Sequence, residues 1–247
     1  MKQDAPNRGG RVGLSDATIT RRLASASSFF DYTRANSRRK LQNPIEDFSN
    51  RWKRNNSPKP VDQDVINKLL SGIDSPRDEV LILLFLATGL RLSEMAQLDK
   101  TSITIESRSV EGLGKPIVLG IGQVVGKGGK RRDFYVSAKA LVPYARYVQD
   151  RRDDHPALFI SERNQRMSVR AMQERLAHWC RKTGVQHTRI HRLRHTFATQ
   201  LANAGMDIMQ LKELLGHSSI ATTLQYTKMM DTTLARGYHA AMEFVNG

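Results

Sequence analysis

From Val80 to Leu90 the chain reads VLILLFLATGL, and its first eight residues are all apolar. A helix that is apolar on every side has its place at the centre of a core or inside a bilayer. At 1.5 Å per residue the stretch reaches about 16 Å, roughly half a hydrocarbon layer. Arg91 follows it almost at once. The pattern therefore predicts a buried helix over Arg77–Thr88 that stops near Gly89, with the rest of a domain wrapped around it.

The flanks show what can wrap it. Val61–Ile73 is amphipathic, with Val65, Ile66, Leu69 and Leu70 at helical spacing. Ahead of it, Asn55-Asn56-Ser57-Pro58-Lys59-Pro60 reads as a linker, because two prolines among polar residues cannot continue a helix. Downstream, three β-like runs (Ser102–Ile105, Ile117–Val125 and Phe134–Val136) are punctuated by Gly112, Gly114 and the glycine-rich turn at 126–130. Helical patterns follow at 138–151, 168–183, 192–204, 208–215, 219–228 and 232–244. Before the linker, a helix capped by Ser15 or Asp16 carries Ile19, Leu23, Phe29, Phe30 and Tyr32 on an apolar side. The fold class is mainly α with a small three-stranded antiparallel sheet. The expected organisation is 1–56, a linker at 57–60, and a larger domain at 61–247.

Charge narrows the partner. The 247 residues hold 39 Lys+Arg against 24 Asp+Glu, a formal net charge of +15. Residues 1–60 carry 13 of those cations and 5 of the anions, a net +8. Such an excess favours a polyanion, with nucleic acid ahead of an acidic membrane or an acidic protein. Arg21, Arg22, Arg38, Arg39, Lys40 and, further on, Lys130 are the candidate DNA contacts. The opening MKQDAPNRGGRVGLSD lacks the apolar segment of a secretory signal, so a cytoplasmic protein is expected. The lone Cys180 excludes an internal disulfide and a Cys-based zinc site, and reads as a small packed hydrophobe.

Four segments combine residue types suited to chemistry on anions: Ala87–Glu94 (ATGLRLSE), Gly126–Lys130 (GKGGK), His191–His195 (HRLRH) and Leu215–His217 (LGH), the last followed nine residues later by Tyr226. Each alone has a plain structural reading. Arg91 can pair with Glu94 or Asp99, Lys127 can be a solvated turn lysine, and Tyr226 can be a partly buried aromatic. GKGGK is not a Walker loop, because Gly128 stands where Ser or Thr is needed and Ile121 where its first glycine belongs. A tight hairpin with Lys127 at its tip is more economical. His187, His191 and His195 are four apart, as zinc ligands can be, but Arg189, Arg192 and Arg194 interleave and no Cys or carboxylate completes a site. The opposite reading is better: an anion bound where His191 and Arg194, three apart, share a helix face.

In order, ATGLR-x-SE, a hairpin lysine, H-x-LRH, LGH and a tyrosine nine residues on make residues 61–247 resemble the tyrosine recombinase (phage integrase) family, nearest to its Xer-type and mobile-element members. The resemblance implies a DNA breaking-rejoining catalytic domain behind a helical core-binding domain, the two clamping a duplex, and site-specific recombination as the activity. It assigns Arg91, Lys127, His191, Arg194, His217 and Tyr226 to catalysis. Tyr226 would attack a phosphodiester to give a 3′-phosphotyrosine and a free 5′-hydroxyl, with His191 as general base. Arg91 and Arg194 would clamp the phosphate oxygens, Lys127 would protonate the leaving oxygen, and His217 would bond the phosphate and position Tyr226. The resemblance also implies no metal, no other cofactor and no ATP. Its partners would be double-stranded DNA, three further copies in a homotetramer (two protomers per synapsed site) and accessory DNA-bending proteins, with no membrane. A tail helix at 232–244, bearing Leu234, Tyr238, Ala241 and Phe244, would dock on a neighbouring subunit.

Two departures qualify the pattern. Residues 15–50 match only the last part of the family's clamp, so 1–56 is expected to be a short, partial core-binding segment. Arg91 and Lys127 are 36 residues apart, more than in compact Xer-like members. The extra length falls near Ser107–Lys115, and Lys130 then competes with Lys127 as general acid. The alternatives are a type IB topoisomerase-like enzyme, which shares the chemistry but relaxes DNA, and a truncated, non-recombining DNA-binding integrase.

Overall fold

The structure is a computed structural model that describes residues 14, 16–37, 42–46, 59–109, 116–126, 129–217 and 219–224. The chain divides into two compact units, residues 1–57 and 58–247.

In the first unit, α1 spans Asp16–Asn36. Ile19, Leu23, Ala26, Phe30 and Thr33 are partly covered, a stripe at spacings of three and four. Phe29 and Tyr32 fall off that line and are exposed, so they do not belong to the apolar side expected for them. The segment after the helix is tied back by the buried Asn43. Its amide donates to Ser27 Oγ at 2.8 Å and Asp31 Oδ1 at 3.1 Å, and its Oδ1 accepts the Ile45 N–H at 3.0 Å.

The second unit is built on the apolar run. Helix α2 (Gln63–Ser71) buries Ile66 and Leu69, and α3 (Pro76–Thr88) buries Val80 through Phe85. Helix α3 starts one residue earlier than the periodicity suggests, with Pro76 in its first turn and Ser75 Oγ accepting the Asp78 N–H. A short helix, α4 (Leu92–Ala96), has no counterpart in the sequence pattern, being too brief to show a period. Strands β1 (Thr104–Arg108), β2 (Ile117–Val125) and β3 (Arg131–Ser137) form an antiparallel sheet in the order β1-β2-β3. The first strand begins later than Ser102 because Ser102 is spent on a turn, its Oγ accepting the Asp99 N–H at 2.8 Å. Pairing runs from Thr104↔Ile121 to Arg108↔Ile117, and from Leu119↔Ser137 to Val125↔Arg131.

Helices α5 (Ala138–Asp150), α6 (Val169–Lys182), α7 (Ile190–Asn203), α8 (Ile208–Leu215) and α9 (Ala221–Leu224) follow among the described residues. Helix α3 lies at the centre, packed by α5, α6, α7 and β3. Its buried Asp78 accepts hydrogen bonds from Arg77, Arg175 and Trp179. Cys180 is buried on α6 as a small hydrophobe. A second, smaller core joins α7 to α8 through Phe197, Ala198, Ala202, Leu211 and Leu215. Among the described residues no helix is long and apolar enough to cross a membrane. The tail expected at 232–244 lies outside the described residues.

Candidate functional site

The ends of α3 and α8 and the starts of α4 and α7 converge. At the end of α3, Gly89 takes a left-handed conformation (φ 58°), and its N–H donates to the Phe85 carbonyl at 3.2 Å. The turn sends Leu90 into the core and leaves Arg91 at the N-terminus of α4. Glu94 completes that terminus. Its Oε2 accepts the Arg91 N–H at 2.7 Å while its Oε1 pairs with the Arg91 guanidinium at 2.8 Å. The ion pair read from the sequence therefore exists beside the functional reading.

The end of α8 holds the arrangement together. Gly216 (φ 63°) donates to the Glu213 carbonyl at 2.9 Å and His217 donates to the Lys212 carbonyl at 3.1 Å, a Schellman end. That pattern uses the carbonyls of 212 and 213 and leaves the next three without helical partners. Each of those takes one arginine. Arg132 donates to the Leu214 carbonyl at 2.9 Å, Arg194 to Leu215 at 2.5 Å and Arg91 to Gly216 at 2.6 Å. The negative end of the helix dipole favours just such cations. Arg194 also donates to the Gly89 carbonyl at 2.5 Å, and Arg132 to Glu94 Oε2 at 2.6 Å. Two of the three guanidiniums, Arg91 and Arg132, share the one carboxylate of Glu94, and the local excess of positive charge suits an anion.

Two histidines border the same cleft of about 890 Å³, lined by Arg91, His191, Arg194 and His217. His191 and Arg194 lie on the first turns of α7, one turn apart, as the spacing suggested. Burial first, and Arg194 second, lower the His191 pKa. His217 is pushed down to about 4, by burial first and then by Arg194, Arg91, Arg132 and His191. Both rings are therefore neutral at pH 7. His217 Nδ1 lies 2.9 Å from the hydroxyl of the buried Thr223, which fixes the ring.

Lys130 is exposed at the base of the β2–β3 hairpin, where its carbonyl accepts the Gly126 N–H at 2.8 Å. Arg21 and Arg22 are exposed on α1 of the first unit. Lys127, Tyr226, Arg38, Arg39 and Lys40 lie outside the described residues. His187 precedes α7 and His195 is buried, so the three histidines spaced by four do not share a helix face. Sequence reading missed Arg132 and saw Glu94 only as an ion-pair partner. The signal for Arg132 was there: Phe134 and Val136 face the core, and a period of two sends Arg132 the same way.

Among solved structures, the chain's fold recurs in the integrase of transposon Tn1549 in complex with transposon right end DNA, at a TM-score of 0.69 and 23% identity, covering 95% of this chain and 81% of that one. It recurs also in the XerH site-specific recombinase bound to a palindromic difH substrate, at a TM-score of 0.65 and 18% identity, covering 92% and 72%. The fold is that of the tyrosine recombinase catalytic domain. Residues 59–232 match the model of the phage integrase family. Tyrosine recombinase XerC of Vibrio campbellii is 33% identical over 243 residues, 95% of this chain and 74% of that protein. The namesake from Escherichia coli O157:H7 is 35% identical, over 95% and 77%. The chain belongs to the phage integrase family of tyrosine site-specific recombinases.

Proposed function

We propose that this chain cuts and rejoins duplex DNA at specific sites through a covalent 3′-phosphotyrosine on Tyr226, as part of a tetramer with two protomers on each of two synapsed sites. The observation that carries the reading is the convergence of Arg91 and Arg194, each anchored by a main-chain carbonyl, with His191 and His217 on one cleft. These residues stand at the family's motif positions, and Lys127 and Tyr226 enter through those motifs.

The chemistry follows from the residue types. A phenol has a pKa of about 10 and is a weak nucleophile until a base takes its proton. His191, held neutral beside Arg194, is the base. The tyrosine oxygen bonds to phosphorus, the bond to the 5′-oxygen breaks, and Lys127 gives that oxygen its proton. Negative charge grows on the non-bridging oxygens in between, where Arg91 and Arg194 are oriented before substrate arrives. Neutral His217 adds a hydrogen bond there. One phosphodiester is exchanged for another, so the step is reversible without ATP, and the arginines with Lys127 supply the charge that a metal would otherwise bring. Exposed cations such as Arg21 and Arg22 serve the wider duplex grip, which makes binding steeply salt-dependent.

The test is a pool of nicked duplexes with randomised sequence. The native chain should trap a covalent protein–DNA adduct that is absent with Tyr226→Phe, and sequencing the trapped ends defines the site. No adduct at high protein concentration overturns the reading. Strand exchange between two recovered sites separates recombination from mere relaxation of supercoils. Arg194→Lys, which keeps the charge but loses the planar fork, should cleave at least ~100-fold more slowly.

A further inference from the structure

We infer that Arg132 is a positioning residue for DNA cleavage, acting through Glu94 on Arg91; the inference rests on the recombinase reading above. Only 8% of the Arg132 side chain is exposed, so it is withdrawn from a duplex. Its two terminal nitrogens are spent on Glu94 Oε2 and the Leu214 carbonyl, and its buried Nε has no hydrogen-bond partner among the described residues. Burying a guanidinium with one donor unsatisfied is costly. A role confined to holding the sheet would be met more cheaply by an apolar residue on that inward face.

The connections show what the charge does. Glu94 Oε1 pairs with Arg91, and Oε2 accepts both the Arg91 N–H and Arg132. With Arg132 present, one carboxylate is shared by two cations, so Arg91 keeps an uncompensated share of charge for a phosphate. Without it, Glu94 and Arg91 form a closed neutral pair, and the carboxylate is free to pull Arg91 out of line. Arg132 also ties β3 to the end of α8 just before His217. The packing over it is close. A Cβ on Gly216 would stand 2.7 Å from Arg132 Nε and 2.8 Å from its Cδ, so the guanidinium is held in its plane by a bare backbone.

The experiment compares the native chain with Arg132→Met, Arg132→Lys, Glu94→Gln and the Arg132→Met/Glu94→Gln double variant. The readouts are the single-turnover rate of adduct formation at saturating protein and duplex affinity, both on nicked duplexes recovered from the randomised pool. Arg132→Met should slow cleavage ~30-fold, the size expected for losing hydrogen bonds to a charged group, with affinity changed by less than ~3-fold. Arg132→Lys should recover part of the loss. With Glu94→Gln already present, removing Arg132 should cost less than ~3-fold, because the carboxylate through which it acts is gone. Cleavage by Arg132→Met within ~3-fold of native overturns the inference, as does an equal loss in both Glu94 backgrounds or a fall in affinity that matches the fall in rate. Should Arg132→Met not unfold cooperatively, Arg132→Lys in the two Glu94 backgrounds decides by the same comparison. A native chain that forms no adduct removes the recombinase reading and this inference with it, whereas an active native chain with an indifferent Arg132 removes the inference alone.

Discussion

Replacing Gly89 with alanine measures how much of the site depends on one backbone turn. Gly89 sits at φ 58°, ψ 22°, where an L side chain costs about 1 kcal/mol. The added Cβ would lie 2.3 Å from Phe197 Cδ1 and 2.8 Å from Cε1. Carbon atoms settle at about 3.5–4 Å, so the ring must retreat by more than about 1 Å. Phe197 belongs to the small core between α7 and α8, and overpacking of that kind costs about 1–3 kcal/mol. The two contributions together come to about 2–4 kcal/mol. Urea unfolding of the native chain, Gly89→Ala, Phe197→Ala and the double variant separates them. The double variant should lose at least about 1 kcal/mol less than the sum of the singles, because truncating the ring makes room for the Cβ. Adduct formation should slow as well, since Phe197 lies one turn beyond Arg194 and the Gly89 carbonyl is one of that arginine's anchors. A Gly89→Ala loss under about 0.5 kcal/mol, or strict additivity with Phe197→Ala, would refute the reasoning.

Two further outcomes follow from buried charge. Asp78→Ala should destabilise by about 3–5 kcal/mol in thermal unfolding, since it strands the Arg175 and Trp179 donors. A change under about 1 kcal/mol would contradict the assigned role. Burial raises the Asp78 pKa, but the bonds from Arg77, Trp179 and Arg175 outweigh it and hold the carboxyl below its ordinary value. His217 gives a pH signature. Its unfolded pKa is about 6.5 and its folded pKa about 4, so between these the unfolded chain binds the extra proton and stability falls as pH falls. Native protein should lose roughly 1 kcal/mol more than His217→Asn between pH 7 and pH 5, after allowance for partial exposure of the ring. An equal loss in both proteins would show that His217 does not titrate in this way.

The helices and sheet were legible wherever a period could run. The apolar stretch of α3 announced a central helix, and β2 and α8 match their patterns end to end. What escaped was set by single hydrogen bonds. Helix α4 exists because Glu94 reaches back to the Arg91 N–H, and β1 starts late because Ser102 caps a turn. The candidate site was legible as a set of residue types in order, and Arg91, His191, Arg194 and His217 do line one cleft. Arg132 was hidden because a charged residue after a charged hairpin looks like solvated surface. Only the parity of β3, fixed by the burial of Phe134 and Val136, turns it inward.

The three arginines of the site reach the end of α8 through oxygens of Leu214, Leu215 and Gly216 that belong to the main chain. Side-chain substitution cannot delete those acceptors. An alanine scan of Leu214 and Leu215 will report on core packing and remain silent about anchoring, while a single ester linkage in the peptide backbone, which weakens one carbonyl, will reach it directly. The anchorage is thus written in the helix ending itself, and any sequence that preserves the ending at Gly216 can preserve the anchorage whatever side chains it carries there.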